Sequence, residues 1–256
     1  MSQIDAQRVA EVIELNAADP PCGLLSPVSI IIPIGPDERS WPSLLADLSD
    51  VSDGAELLLV ATGDQPAEFS QLRTECGIRR RMRWITTAAG RAHQLNVAAQ
   101  QASRPFLWFL HADSRVVPDA LLALDRSLES YPSALHYFDL TFQADGPGLV
   151  RFNALGARIR SRWLGLPFGD QGFCLSREVF QRLGGFDENV RYGEDHLLVW
   201  AARRNGVLLR PVDAAIATSA RKYRDDGWWA TTLVHSWRTW RQAAPEFAKL
   251  LWSRIK

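Results

Sequence analysis

His111 and Asp113 follow the apolar run Phe106-Leu107-Trp108-Phe109-Leu110, so a buried strand would deliver two metal-capable side chains to the edge of a sheet, where open α/β folds bind ligands. Side chains two apart on an extended segment point the same way. An imidazole and a carboxylate so placed could share one divalent cation, and that cation could grip a diphosphate. Three other clusters carry reactive types. Gly90-Arg91 opens a helical pattern whose free N–H groups, with the guanidinium, favour a phosphate. Phe168-Gly169-Asp170-Gln171-Gly172 sets a carboxylate and an amide between glycines, where backbone can approach a ligand and sugar hydroxyls can be received. Tyr192-Gly193-Glu194-Asp195-His196 puts two carboxylates at a helix start, where the dipole keeps them ionised and able to take a proton from a hydroxyl. Each cluster also has a plain reading, as a polar turn, a solvated helix start, a glycine turn or an acidic cap.

Positioning these groups requires strands and helices in alternation, and the first half of the chain supplies them. Residues 28–33, 56–60, 82–86 and 106–110 read as buried strands, while 41–48, 65–76 and 90–102 have helical spacing. Such alternation predicts an α/β fold with a Rossmann-like, mostly parallel sheet. Further on, 118–128, 149–163, 178–183 and 194–205 read as helices. Residues 135–142 alternate in character and are expected to form an edge or antiparallel strand, with short strands at 173–176, 207–210 and 215–218.

Composition narrows the class. The chain has 256 residues, 46% hydrophobic and 23% charged, enough to bury a full core. Lys plus Arg equals Asp plus Glu at 29 each, which gives no global field for nucleic acid. Cys22, Cys76 and Cys174 lie far apart in no metal-like spacing and read as free thiols of a reducing compartment. Residues 1–16 lack the apolar core of a signal peptide, and no run approaches about 18 apolar residues. The expected location is cytoplasmic, with peripheral contact at the inner membrane face compatible with the same features. Expected organisation is a leader over 1–26, a domain over 27–220 and a C-terminal extension over 221–256.

Taken in order, Pro33 after a β-branched strand, Gly90-Arg91-Ala92-x-Gln94-x-Asn96, Phe109-Leu110-His111-Ala112-Asp113-Ser114, Gly169-Asp170-Gln171-Gly172, Gly184-Gly185-Phe186 and Glu194-Asp195 resemble the family 2 glycosyltransferases. The likeness is nearest to a bacterial family-2-like subgroup with His-Ala-Asp-Ser and Gly-Asp-Gln-Gly motifs, and spans about residues 27–240. This resemblance implies a GT-A fold with a nucleotide-sugar donor, a hydroxyl acceptor, and Mn²⁺ or Mg²⁺ held by Asp113 and His111. It also implies donor contacts from Pro33, Asp64, Arg91, His111 and Asp113, and acceptor or sugar contacts from Gly169, Asp170 and Gln171. Asp195 takes the part of general base, with Glu194 orienting it, and one base facing the leaving group implies inversion. The sequence departs from the family where the nucleotide base is read: Pro33-Ile34-Gly35-Pro36-Asp37 and Val60-Ala61-Thr62 lack the usual polar groups, and Asp64 is the substitute at hand.

From Arg203 onward, eleven Lys/Arg stand against four Asp/Glu, a net of +7, and five of the ten Trp lie there. Residues 229–240 have amphipathic helical spacing, which favours a helical extension with its indoles packed on the domain, the other reading being an anionic lipid surface with a lipid-linked acceptor. The competing reading of the whole is a catalytically silent GT-A-like binding module. A nucleotidyltransferase is disfavoured, because the first strand is not followed by a Gly-rich, Lys-bearing phosphate loop.

Overall fold

A computed structural model of the chain describes residues 23–75, 81–190, 192–225, 227–229, 231–232, 241, 243 and 246–247. Strands β1 (Val28–Ile34), β2 (Glu56–Ala61), β3 (Met82–Thr86) and β4 (Phe106–Phe109) alternate with helices α1 (Trp41–Asp47), α2 (Ala67–Glu75) and α3 (Arg91–Gln101). There follow α4 (Pro118–Ser130), β5 (Leu135–Phe142), α5 (Val150–Trp163), a 3-10 turn at Gly169–Gln171, β6 (Cys174–Ser176) and α6 (Arg177–Leu183). The described elements end with α7 (Glu194–Arg204), β7 (Leu209–Thr218) and the short α8 (Arg221–Asp225).

The strands form one sheet in the order β3-β2-β1-β4-β6-β5-β7. β1 pairs in parallel with β2 and β4, β2 with β3, and β5 with β7, whereas β6 runs antiparallel to both β4 and β5. A single reversed strand therefore interrupts an otherwise parallel sheet, in keeping with the mostly parallel expectation. β1 and β2 are buried along their whole length, and their successive side chains feed two cores. Ile30, Ile32, Leu57 and Leu59 pack with Trp108 on one face, while Ile31, Leu58 and Val60 pack with Leu95 and Phe109 on the other. Each such burial stabilises the fold by roughly 1.5–3 kcal/mol.

Pro33 fits in this interior strand for a local reason. The β1–β4 ladder ends at Ile31↔Phe109, so beyond it one edge of β1 has no neighbour asking for an N–H. The freed strand ends are tied instead by Gln94, whose amide donates to Ile34 O at 3.2 Å and Val60 O at 2.9 Å. Because β2 and β4 leave β1 on opposite sides, the crevice beyond the carboxyl ends of β1 and β4 is the topological switch point where α/β folds bind ligands.

One sequence expectation holds in one of its two forms, and another is corrected. Residues 135–142 form a strand antiparallel to its neighbour β6, as one form had it, but not an edge, since β5 lies between β6 and β7 and most of its side chains are buried. The two short strands expected at 207–210 and 215–218 are one strand, β7. Its pairing steps from Tyr137↔Pro211 to Asp139↔Ala215, so a bulge absorbs the extra residues, and Pro211 is tolerated because β7 is itself an edge. Cys174 is buried and free. Cys22, Cys76, most of the expected leader and most of the helix expected at 229–240 lie outside the described residues. No helix among the described residues is long and apolar enough to cross a membrane.

Candidate active site

The chain leaves β4 through a tight turn. Leu110 N–H donates to Ile31 O at 3.0 Å, and Ser114 N–H then donates to His111 O at 3.0 Å, closing a turn over residues 111–114. Its far end is pinned to β7 by Arg115 N–H to Ala217 O at 2.7 Å and Ala217 N–H to Arg115 O at 3.1 Å. His111 and Asp113 thus sit in a turn rather than on an extended segment, so strand alternation does not put them on one face.

Two other predicted clusters meet this turn through Arg91. At the start of α3, the Arg91 Nε donates to Glu194 Oε1 at 2.9 Å, and its Nη2 donates to His111 Nε2. Arginine has no acceptor, so the His111 lone pair lies on Nε2 and the ring proton on Nδ1. Burial, and secondly the Arg91 guanidinium, hold this imidazole well below its usual range, so it is neutral. Glu194 is buried at the start of α7, and burial followed by the neighbouring Asp195 raises its carboxyl, with Arg91 opposing. The Arg91 side chain remains 40% exposed, which leaves part of it open to a phosphate.

The glycine loop joins from the other side. Asp195 Oδ2 accepts the Gly169 N–H at 2.5 Å, and its Oδ1 accepts the His196 N–H at 2.8 Å. A side chain at position 169 would force Asp195 to shift, since a Cβ there would stand 2.8 Å from Asp195 Oδ2 and 3.1 Å from its Cβ. Gln171 is fully buried: its Nε2 donates to Phe138 O at 2.8 Å, while its Oε1 accepts from Phe168 N–H at 3.1 Å and Arg160 Nη2 at 3.3 Å. Gln171, expected at the acceptor, is thus placed as a staple that shapes the loop.

Asp170 differs from its neighbours. Its Oδ1 is buried with no hydrogen-bond partner, and it lines a cavity of about 530 Å³ with Arg160, Tyr223, Phe168 and apolar residues of β5 and α5. Burial pushes the Asp170 carboxyl up to about 6, with Asp195 and Asp113 adding to the rise and Arg160 opposing it. The folded protein thus holds this proton to higher pH than the unfolded chain does, so the carboxyl weakens the fold increasingly as pH rises from about 4 through about 6. Asp170→Asn is expected to raise stability by roughly 1–3 kcal/mol at about pH 7.5, with the gain fading toward about pH 4. Urea unfolding at both pH values checks this, and an equal difference at the two would contradict a raised carboxyl.

Asp113 lines a separate cavity of about 280 Å³ with Arg39, Arg115, Asp145 and Arg221. Burial raises its carboxyl, Glu38 adds, and Arg221 and Arg91 oppose. Asp64 stands apart, exposed on the loop after β2, where Gly63 O accepts from Trp84 Nε1 at 3.1 Å and from Thr86 Oγ1 at 3.3 Å. Pro33 is buried in β1 and takes its place in the strand rather than in the cluster.

Sequence reasoning gave Gln94 and Asn96 no individual task, and Arg160 none. Asn96 holds the Gly184-Gly185-Phe186 turn, donating to Phe186 O at 2.8 Å and accepting from Phe186 N–H at 3.0 Å. A signal for Gln94 was present: it falls on the helix face of Leu95, Ala98 and Ala99, where a buried amide must find partners. Arg160 lies about half a helical turn from Arg158 and Arg162, hence on another face, and its guanidinium stacks 3.4 Å over the Phe168 ring.

A divalent cation suits this site only in part. Asp113 fits it, because one carboxylate together with substrate phosphates is a usual way to hold Mg²⁺. His111 does not fit as the second ligand, since its lone pair already faces the Arg91 cation. Among the described residues, no group of three or more His, Cys, Asp and Glu side chains could hold a metal. The expected His111/Asp113 pair is thereby reduced to Asp113.

No family model matches the chain, and no curated protein matches it in sequence. Solved structures do resemble it. A mannosyltransferase from Pyrobaculum calidifontis, solved with GDP-Man and Mn²⁺, is 19% identical with a TM-score of 0.61, over 89% of this chain and 68% of that one. TarS 1–349 from S. aureus, solved with UDP-GlcNAc, is 18% identical with a TM-score of 0.59, over 76% of this chain and 58% of that one. GalNAc-T7 with UDP, GalNAc and Mn²⁺ is 13% identical with a TM-score of 0.57, over 75% of this chain and 43% of that one. The chain thus spans about two thirds of the first and less of the other two. The shared fold is that of the GT-A glycosyltransferases, with a mostly parallel seven-stranded sheet flanked by helices.

Proposed function

We propose that a protein with this fold and this cluster is a family-2-like glycosyltransferase that moves a hexose from a nucleotide-sugar donor to a hydroxyl acceptor with inversion. The observation that carries the reading is the convergence of segments distant in sequence: Arg91 joins His111 to Glu194, and Asp195, next along, holds Gly169. Fold similarity to structures solved with GDP-Man and UDP-GlcNAc supports the donor class. The proposed location is the cytoplasm, and the acceptor a hydroxyl, lipid-linked in the version that engages the C-terminal region.

In this reading Asp195 takes the acceptor proton while the acceptor oxygen attacks the anomeric carbon. Its two backbone N–H bonds fix the carboxylate for that task. Glu194 anchors Arg91, and Arg91 balances the negative charge that grows on the departing nucleoside diphosphate. Mn²⁺ or Mg²⁺ on Asp113 would add positive charge to the same diphosphate. Asp170 takes a hydroxyl in the adjoining cavity.

The test is a thermal-shift panel of UDP-, GDP- and CDP-sugars with and without Mn²⁺. One donor is expected to raise the melting temperature with metal present, and Asp113→Ala to remove that rise. A flat response across the panel would leave a silent binding module as the better description.

A further inference from the structure

Helix α5 turns its most apolar face outward. At about 100° per residue, the buried Val150, Ala157 and Ser161 fall on one side of the helix, facing the sheet. Phe152, Leu155, Ile159 and Trp163 fall on the opposite side and are 53%, 56%, 50% and 85% exposed. Spacings of three, four and four residues make them a continuous stripe. Isolated exposed apolar residues need no account, but a stripe along a whole helix does.

The margins of the stripe say what covers it. Along one side run Arg151, Arg158 and Arg162, and residues 150–163 contain no Asp or Glu. Asp139 of β5 is shared by Arg158 at 3.4 Å and Arg162 at 3.0 Å, and Asp213 of β7 adds a second negative charge near Arg162, so three positive charges meet two negative and Arg151 keeps no acidic partner on its own helix. Along the other side, Trp228 Nε1 donates to Asn153 Oδ1 at 2.7 Å. That bond brings up Trp229, which packs edge-on against Trp228 and is 70% exposed. Indoles and guanidiniums flanking a row of Phe, Leu and Ile are what a helix lying in a lipid head-group layer needs, with apolar groups sunk and amphipathic ones at the interface. A second copy docked face to face would oppose its own arginines, so like charge disfavours that occupant.

We propose that α5 seats the protein on an anionic lipid surface, with Phe152, Leu155, Ile159 and Trp163 inserted and Arg151 and Arg158 against the head groups. Phe152 and Ile159 also line the cavity that holds Asp170 and Arg160, so the lipid surface borders that cavity. Vesicle binding requires neither donor nor acceptor, so the seat stands or falls apart from glycosyl transfer.

The experiment is flotation of the full chain with phosphatidylcholine vesicles, alone or mixed with phosphatidylglycerol. Wild type is expected to float with the mixed vesicles and not with phosphatidylcholine alone, and to be released by salt. The double variant Leu155→Ser/Trp163→Ser is expected to lose at least tenfold in vesicle affinity, and Arg151→Glu/Arg158→Glu a similar factor. Both alter outward-facing side chains, and a melting temperature unchanged from wild type shows that each is folded. Should either variant fail to fold, Trp163→Ser alone is read instead, with a loss of severalfold expected. Three results would each overturn the proposal: no flotation of wild type on mixed vesicles, flotation untouched by folded variants, or a vesicle-free dimer that Leu155→Ser/Trp163→Ser dissolves.

Discussion

Asp195→Asn is expected to lower the transfer rate by roughly 10²–10⁴-fold while leaving the donor's thermal shift in place. The carboxylate receives two backbone N–H groups, from Gly169 and His196, and retains lone pairs for a third proton. An amide can accept on one oxygen only, so one of these N–H groups would face an NH₂ group. Losing such a bond costs about 1–3 kcal/mol, which predicts a modest fall in melting temperature beside the large loss of rate. The two effects are separable. A lowered melting temperature with the rate kept within about tenfold would make Asp195 a support of the glycine loop, and the base would have to be sought elsewhere.

The second large effect is on stability. Gly172 closes the glycine loop with φ of +62°, a backbone conformation that costs a residue with a Cβ roughly 1–2 kcal/mol. A Cβ there would also stand 2.9 Å from Ile216 Cδ1, 3.2 Å from Leu110 Cδ2 and 3.3 Å from Trp108 Nε1, which are all buried. Overpacking of that kind adds about 1–3 kcal/mol. Gly172→Ala should therefore lose roughly 2–5 kcal/mol, seen as a lower urea midpoint and a melting temperature down by about 5–15 °C. Gly63→Ala is the matched control, because nothing lies within 4 Å of a Cβ at that position. Equal midpoints for the two variants would mean that the loop relaxes around the added methyl.

Much of this architecture can be read from the chain because its signals are local. Residues 30–34 and 57–61 are apolar on both faces, which only a strand covered twice can use, and the alternation with helices follows. The reactive clusters are legible for a similar reason, since Arg91, Glu194 and Asp195 all stand at helix starts and His111 at a strand end. What could not be read depends on partners distant in sequence. That Gln171 turns inward is decided by Phe138 and Arg160, and that His111 is capped is decided by Arg91, neither of which lies near in the chain. The unity of β7 depends on a bulge opposite β5, whereas Pro211 alone reads as a break.

The reversal of β6 has a bearing on how the molecule divides its labour. In a uniformly parallel sheet only the segments leaving the strands reach the ligand-bearing rim. Because β6 travels the other way, the segment arriving at it, Gly169 to Phe173, reaches that rim too, and Phe173 O accepts the Phe109 N–H there at 2.8 Å. The opposite rim, with the exposed Pro132 and Ser133 ahead of β5, lies away from the cluster of Arg91, His111, Gly169, Glu194 and Asp195. That end of the molecule is expected to accept grafted segments, tags or lengthened connections without disturbing the cluster around Arg91.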